Sequence, residues 1–367
     1  MILQKSILFL LVLLIGGALY LFHLPVYVTP EPDGQGYGKH YYNGRYHNEV
    51  DVPVSLTKEN LITGAWQFLT ENVQDARPDQ PLPSKKTDLL HLAPDSNVVI
   101  WMGHSSFFIQ MDGVKYLVDP VFSDNASPVP FTNRAFTGSN IYTAADIPDI
   151  DYLLITHDHW DHLDYPTINS LRDKIGRIVV PEGVGSYFRQ WDFNPDIIIE
   201  KNWYETWQQK DLTIHFLPAQ HFSGRFLKRN QTLWGSFALI TPRHKIYLGG
   251  DSGYGPHFRE IARRLGGFDL AILESGQYDR DWPYIHMMPA ETARAAEDLQ
   301  AKALLPSHNS KFVLAKHAWY TPLDEITRES QHRSYHLLTP EIGEAVFPDN
   351  PGQHFSQWWH PLSHPRF

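Results

Sequence analysis

The run Leu154-Ile155-Thr156-His157-Asp158-His159-Trp160-Asp161-His162 constrains this chain more than any other stretch. An apolar, strand-like segment stops in a His-x-His-x-Asp-His cluster. Imidazole nitrogen and carboxylate oxygen are the ligand types that suit a divalent ion such as zinc. Extended backbone repeats its side-chain direction every second position, so His157 and His159 face the same way. Asp161 and His162 stand one step further on, where a second ion fits. A pair of ions about 3.5–4 Å apart is the usual device for activating one water. The bland alternative is a surface loop that is merely rich in histidine. Several ligand types at this spacing after a strand weigh against it.

Composition narrows the ligand choice. Among 367 residues there is no cysteine, so disulfides, thiolate ligands and a lipid-modified N-terminal cysteine are excluded. Any metal is held by His, Asp, Glu or water. The net charge of −10 argues against a nucleic-acid-binding surface, which carries a basic footprint.

Lys5 precedes an uncharged, mostly aliphatic run from Ser6 to Phe22. No small-x-small cleavage site with a polar mature start follows it. Residues 1–24 therefore read as an N-terminal membrane anchor or signal segment, with the uncleaved anchor preferred. Lys5 on the cytoplasmic side puts the body on the non-cytoplasmic face, periplasmic or extracellular in a bacterium. Residues 25–96 read as an irregular arm and linker. Pro25, Pro30 and Pro32 exclude regular helix, and Asp33-Gly34 and Asn43-Gly44 signal turns. A short helix is expected over 60–72, then a proline-rich linker from Arg77 to Lys86.

From Asn97 onward the pattern becomes that of a folded domain, 97–367. Strands are expected at Val98–Trp101, Ser105–Met111, Val114–Val118, Tyr152–Thr156, Ile178–Val180, Ile197–Ile199, Leu212–Leu217, Phe237–Ile240, Lys245–Leu248 and Leu270–Leu273. Asp112-Gly113 signals a hairpin. Helices are expected at Pro166–Lys174, Pro256–Leu265 and Pro289–Ala301, each opening near a proline. Many strands with few amphipathic helices indicate a layered α/β or α+β body.

Three later residues repeat the opening design of apolar strand, tight turn, ligand. They are His221 after Leu212–Leu217, Asp251 after Tyr247-Leu248-Gly249-Gly250, and His308 after Ala303-Leu304-Leu305-Pro306-Ser307. Strand ends on one sheet edge converge, as binding residues do in open α/β sheets. A carboxylate such as Asp251 has two oxygens and can contact both ions.

This order of His-x-His-x-Asp-His, then His, Asp and His, resembles the metallo-β-lactamase superfamily. Trp101-Met102-Gly103-His104, Asp119-Pro120-Val121-Phe122, the trailing Leu163-Asp164-Tyr165, Pro218-Ala219-Gln220-His221, Leu233-Trp234-Gly235-Ser236 and Gly250-Asp251-Ser252-Gly253-Tyr254 are similar to the branch that hydrolyses N-acylphosphatidylethanolamine as a phospholipase D. The resemblance implies a four-layer αββα sandwich. It implies two zinc ions, one held by His157, His159 and His221, the other by Asp161, His162 and His308, with Asp251 bridging. It implies phosphodiester hydrolysis by water activated between the ions, with Asp161 as ligand and base and His286 near the substrate phosphate. Tyr278, in the same stretch, joins the expected substrate contacts. Lys311 departs from the family pattern, and the expectation for it is either a point charge on a phosphate oxygen or a solvated lysine. A phospholipid substrate, membrane attachment through the N-terminal segment and a homodimer complete the expectation. The rivals are a lactonase, a β-lactamase-like amidase or a nucleotide phosphodiesterase on the same metals, and a non-catalytic metal-stabilised envelope protein.

Overall fold

The structure, a computed structural model, describes residues 38–56, 73–127, 131–225 and 228–363, with 9–10, 12–13 and 16–17 near the start. The expected helix over 60–72 and most of the expected anchor over 1–24 lie outside the described residues. Among the described residues, no helix is long and apolar enough to cross a membrane.

A small hairpin, β1 (Tyr41–Tyr42) and β2 (Arg45–Tyr46), turns at Asn43-Gly44. The body then runs through β3 (Val98–Trp101), β4 (Phe107–Met111), β5 (Val114–Val118), β6 (Ile150–Leu154), β7 (Ile175–Pro181) and β8 (Ile198–Lys201). A second series follows: β9 (Thr206–Gln209), β10 (Leu212–Leu217), β11 (Ser236–Ile240), β12 (Lys245–Leu248), β13 (Leu270–Glu274), β14 (Ala303–Ser307) and β15 (His336–Leu337). A last strand, β16 (Ala345–Val346), returns to pair with β3. The helices are α1 (Tyr165–Ser170), α2 (Gly185–Gln190), α3 (His257–Leu265), α4 (Pro289–Asp298), α5 (Thr321–Glu329) and α6 (His360–Ser363).

The strands form two large sheets, ordered β16-β3-β4-β5-β6-β7-β8 and β15-β14-β13-β12-β11-β10-β9. Both sheets share one plan. Antiparallel neighbours run to β5 in the first sheet and to β12 in the second, and parallel neighbours follow. Period-two alternation divides each strand between two cores. Val99, Trp101, Phe107, Ile109 and Leu154 meet Ile214, Phe216, Phe237, Leu248 and Ile272 between the sheets. The alternate residues Val98, Ile100, Phe108, Leu153 and Ile178 pack outward against Ile168 of α1 and Tyr187 and Phe188 of α2. On the other side Ala238, Tyr247, Ala271 and Leu304 pack against Phe258, Ile261, Ala293, Ala296 and Ile326 of α3 to α5. The layers are therefore helix, sheet, sheet, helix. Each fully buried aliphatic or aromatic side chain contributes about 1.5–3 kcal/mol.

The helix expected at Pro166–Lys174 is divided into α1 and a 3₁₀ turn at Arg172–Lys174. The arm lies along the body. Tyr46 is buried and its N–H donates to Asn230 O at 2.8 Å. Leu82 and Lys85 donate to Thr137 O and Ile342 O at 2.8 and 2.9 Å.

Candidate metal centre

The shared sheet plan brings several strand ends to one edge. β5 leads into Asp119, β6 into the His157–His162 loop, β10 into the turn bearing His221, β12 into Asp251 and β14 into His308, and β13 ends on Glu274. Gly250 permits the close approach at β12. Its φ is +58°, and a Cβ there would stand 2.9 Å from Thr156 Cβ.

The structure brings together every ligand expected from sequence, as two groups joined by one carboxylate. His157, His159, His221 and Asp251 form the first group; Asp161, His162, His308 and an added residue, His104, form the second. In the first, His157 Nε2 and His221 Nε2 lie 2.8 and 3.3 Å from His159 Nδ1. Asp251 Oδ2 is 3.7 Å from both Nε2 atoms. In the second, Asp161 Oδ2 lies 3.5 Å from His162 Nε2 and 3.3 Å from His308 Nε2. The same Asp251 Oδ2 is 3.2 Å from each of those nitrogens.

These separations fit divalent ions. Ligand atoms in a tetrahedral shell with bonds of about 2.0–2.1 Å stand roughly 3.3–3.4 Å apart. His162 Nε2 and Asp251 Oδ1 are buried with no hydrogen-bond partner, as unliganded donor atoms would be.

Each imidazole is aimed by its other nitrogen or by its backbone. His162 Nδ1 donates to Asp119 Oδ2 at 2.8 Å, leaving Nε2 for a metal. Asp119 also accepts from Thr156 N and Oγ1, at 2.8 and 2.6 Å, so it fixes the start of the metal loop. His221 Nδ1 donates to Ile285 O at 2.9 Å. Asn48 of the arm clamps the backbone of the same residue: Nδ2 donates to His221 O at 2.8 Å, and Oδ1 accepts from His221 N at 3.1 Å. The non-ligand residues Asp158 and Trp160 are held away from the ligand cluster. Asp158 accepts from Gly224 N and the Tyr187 hydroxyl at 2.7 and 2.9 Å, and Trp160 lies under the Arg225 guanidinium at 3.8 Å.

His104, Asp119 and His308 have φ of +54°, +39° and +63°, a region L-residues seldom adopt. Pairing of His308 N with His104 O at 3.0 Å holds two of these strained residues back to back.

The groups differ in charge. Burial drives His157 and His221 well below the usual imidazole range and His159 down to about 4, so these rings are neutral and ready to ligate. Burial acts the same way on His162 and His308. There Asp251 and Asp161 overcome it, carrying His162 well above that range and His308 up to about 10. Burial would also raise Asp161, but His162, His104 and His308 hold it well below the carboxylate range.

Residues 115–309, more than half of the chain, match the family described as the beta-lactamase superfamily domain. The chain belongs to the metallo-β-lactamase superfamily. It is 35% identical over 309 residues to an uncharacterized protein of Mycobacterium tuberculosis, covering 83% of this chain and 82% of that one. It is 28% identical over 329 residues to a Caenorhabditis elegans protein named N-acyl-phosphatidylethanolamine-hydrolyzing phospholipase D 1, covering 83% and 91%. Among solved structures, Igni18, a metallo hydrolase from Ignicoccus hospitalis, superposes with a TM-score of 0.52 at 19% identity, over 68% of this chain and 97% of that one. That likeness shows the αββα fold. The chain is a hydrolase of this superfamily, whose fold implies divalent-metal binding.

Against that background the expected substrate contacts divide. His286 stands at the rim, its ring 5.1 Å from that of His308 and 5.0 Å from that of His221. Lys311 does not reach the rim: it is fully buried, and Nζ donates to Val121 O at 2.8 Å and Met102 O at 3.4 Å. It presents no face to a phosphate. Tyr278 is also turned away, its hydroxyl donating to Glu325 of α5 at 3.0 Å and its ring stacked on His317. Asp161, held anionic, suits a ligand better than a base, which works best with a pKa near the operating pH.

His104, Asp119, Glu274 and Asn48 carry no role in the sequence reading. The first three each follow or end an apolar strand, the signal that singled out Asp251. Asn48 has no such signal. A separate cavity of about 1070 Å³ opens at the opposite edge, where Ile150, Gly176 and Leu212 begin or adjoin their strands; none of the clustered ligands lines it.

Proposed function

We propose that this chain is a phosphodiesterase of phospholipase D type, acting on N-acylphosphatidylethanolamine or a related phospholipid with two zinc-like ions. The observation that carries the reading is the sharing of Asp251 Oδ2 between two buried ligand groups, with the His286 ring 5.1 Å from that of His308 and 5.0 Å from that of His221. The activity named for the nematode relative supports the substrate class.

His157, His159 and His221 would hold one ion, and Asp161, His162 and His308 the other, with Asp251 common to both. When bound, such ions supply Lewis-acid activation of water and of phosphate oxygens. The chain supplies the rest. Asp119 and the Ile285 carbonyl fix which nitrogen of His162 and His221 faces inward. Asn48 holds the His221 peptide in place. His286, only slightly exposed, turns its ring toward the substrate phosphate. Membrane attachment through the N-terminal segment would hold the protein at a phospholipid surface, on the non-cytoplasmic face.

A lipid panel with product identification tests the reading. Release of phosphatidic acid from an N-acylated phosphatidylethanolamine is expected. Turnover of a soluble lactone, a β-lactam or a nucleotide diester with no phospholipid cleaved would overturn it.

A further inference from the structure

Glu274 is a carboxylate that the proposed chemistry leaves unused, in a place where an idle charge is costly. It ends β13, whose five residues are all buried, and it is itself about 1% exposed. A buried carboxylate is tolerated when its oxygens are satisfied by N–H groups. Here Oε2 accepts from His286 Nδ1 at 2.6 Å, and Oε1 accepts from Met287 N at 2.6 Å. Its own carbonyl accepts from Thr292 Oγ1 at 2.8 Å, which ties the residue to α4. Glu274 therefore grips two consecutive residues, one by side chain and one by backbone.

We infer that Glu274 is a positioning residue for His286. A neutral imidazole carries one N–H, and a carboxylate at Nδ1 assigns it there. The ring is then fixed about both its torsions, stacked at 15° over His308 and edge-on to His221. Nε2 becomes the atom turned toward the substrate. The rival role is that of a metal ligand, because Glu274, His286, His308 and Asp251 also offer donor atoms within 4.8 Å of one another. The two short N–H contacts weigh against it, since each oxygen already accepts one strong hydrogen bond, and the zinc count of Glu274→Gln decides between the roles.

The inference rests on the phosphodiesterase reading only in giving His286 a phosphate to face. Its first test needs no substrate. Nitrogen NMR of the zinc-loaded protein, at a pH where the ring is neutral, should find His286 protonated at Nδ1, and Glu274→Gln should reduce that tautomer. A bare Nδ1 in the unaltered protein would overturn the inference whatever the enzyme cleaves. The second test is a double-mutant cycle with N-acylphosphatidylethanolamine in detergent micelles. Glu274→Gln should lower kcat by about 10–100-fold, the usual cost of removing such a partner, with zinc content unchanged. In a His286→Ala background the same change should cost less than about twofold, because the residue acts through the ring. Equal cost in both backgrounds, or loss of zinc from Glu274→Gln, would overturn it.

Discussion

The two halves of the metal centre are built from opposite materials. The first, His157, His159 and His221, is all imidazole, and its rings are neutral before any ion arrives. The second, Asp161, His162 and His308, sets imidazoles against carboxylates, which hold protons on those rings up to a pKa of about 10 for His308. The difference teaches that ligand geometry and ligand readiness are separate properties. Both halves have donor atoms at metal-shell spacing, but only the second must release protons to use them.

The largest expected effect removes the distinction. Asp251→Ala deletes the atom common to both groups, so both ions and all turnover should be lost; elemental analysis retaining one ion would break the bridging assignment. Acidification should separate the halves. His159, at about 4, has no proton to release near neutrality, whereas His162 and His308 carry protons that an ion must displace, more so as the pH falls. Metal content followed as the pH is lowered from about 10 to about 4, the values for His308 and His159, should therefore drop first in the second half. Loss from both at the same pH would contradict the asymmetry.

Smaller changes should act on one side. Asp119→Asn weakens the grip on His162 and should cost about 10–100-fold in the affinity of the second ion, with the first unaffected. Asn48→Ala leaves the His221 peptide without its partners, costing about 1–3 kcal/mol in stability and disturbing the first ion. Both are read by metal titration and thermal unfolding. The smallest effect on the metals belongs to Lys311, which serves neither half. Burial lowers its pKa to about 7, so between 7 and the ordinary lysine value the unfolded chain binds more protons than the folded one. Stability then rises with pH across that window. Lys311→Met should raise Tm most at or below pH 7, with a gain that shrinks toward pH 10 and no change in metal content.

The sandwich was legible because its strands are apolar runs ended by turns. Val98–Trp101, Val114–Val118, Leu212–Leu217 and Lys245–Leu248 coincide with the strands observed. The edge strand β9, Thr206–Gln209, lacks that signal because it is largely polar and exposed. The short α2 opens on glycine and lacks a helical signature of its own. At the site, residues that end an apolar run could be found, and Glu274 meets that criterion as fully as Asp251. Asn48 does not: its role depends on where the arm lies across the body, a long-range contact that no local pattern encodes. Lys311 shows the opposite limit of a local pattern. Its charge and its nearness in sequence to His308 suggested a phosphate contact, while the backbone carries its ammonium inward to the Val121 and Met102 carbonyls.

The central claim, two ions held by unequal halves around one carboxylate, is tested most directly by counting metal in the unaltered protein and in His308→Gly. Glycine tolerates the φ of +63° at this position, so the ring is removed without backbone strain. Two zinc-like ions per chain falling to one, with the His157, His159 and His221 half still occupied, is the expected result. A single ion in the unaltered protein, or two ions surviving the loss of His308, would contradict it.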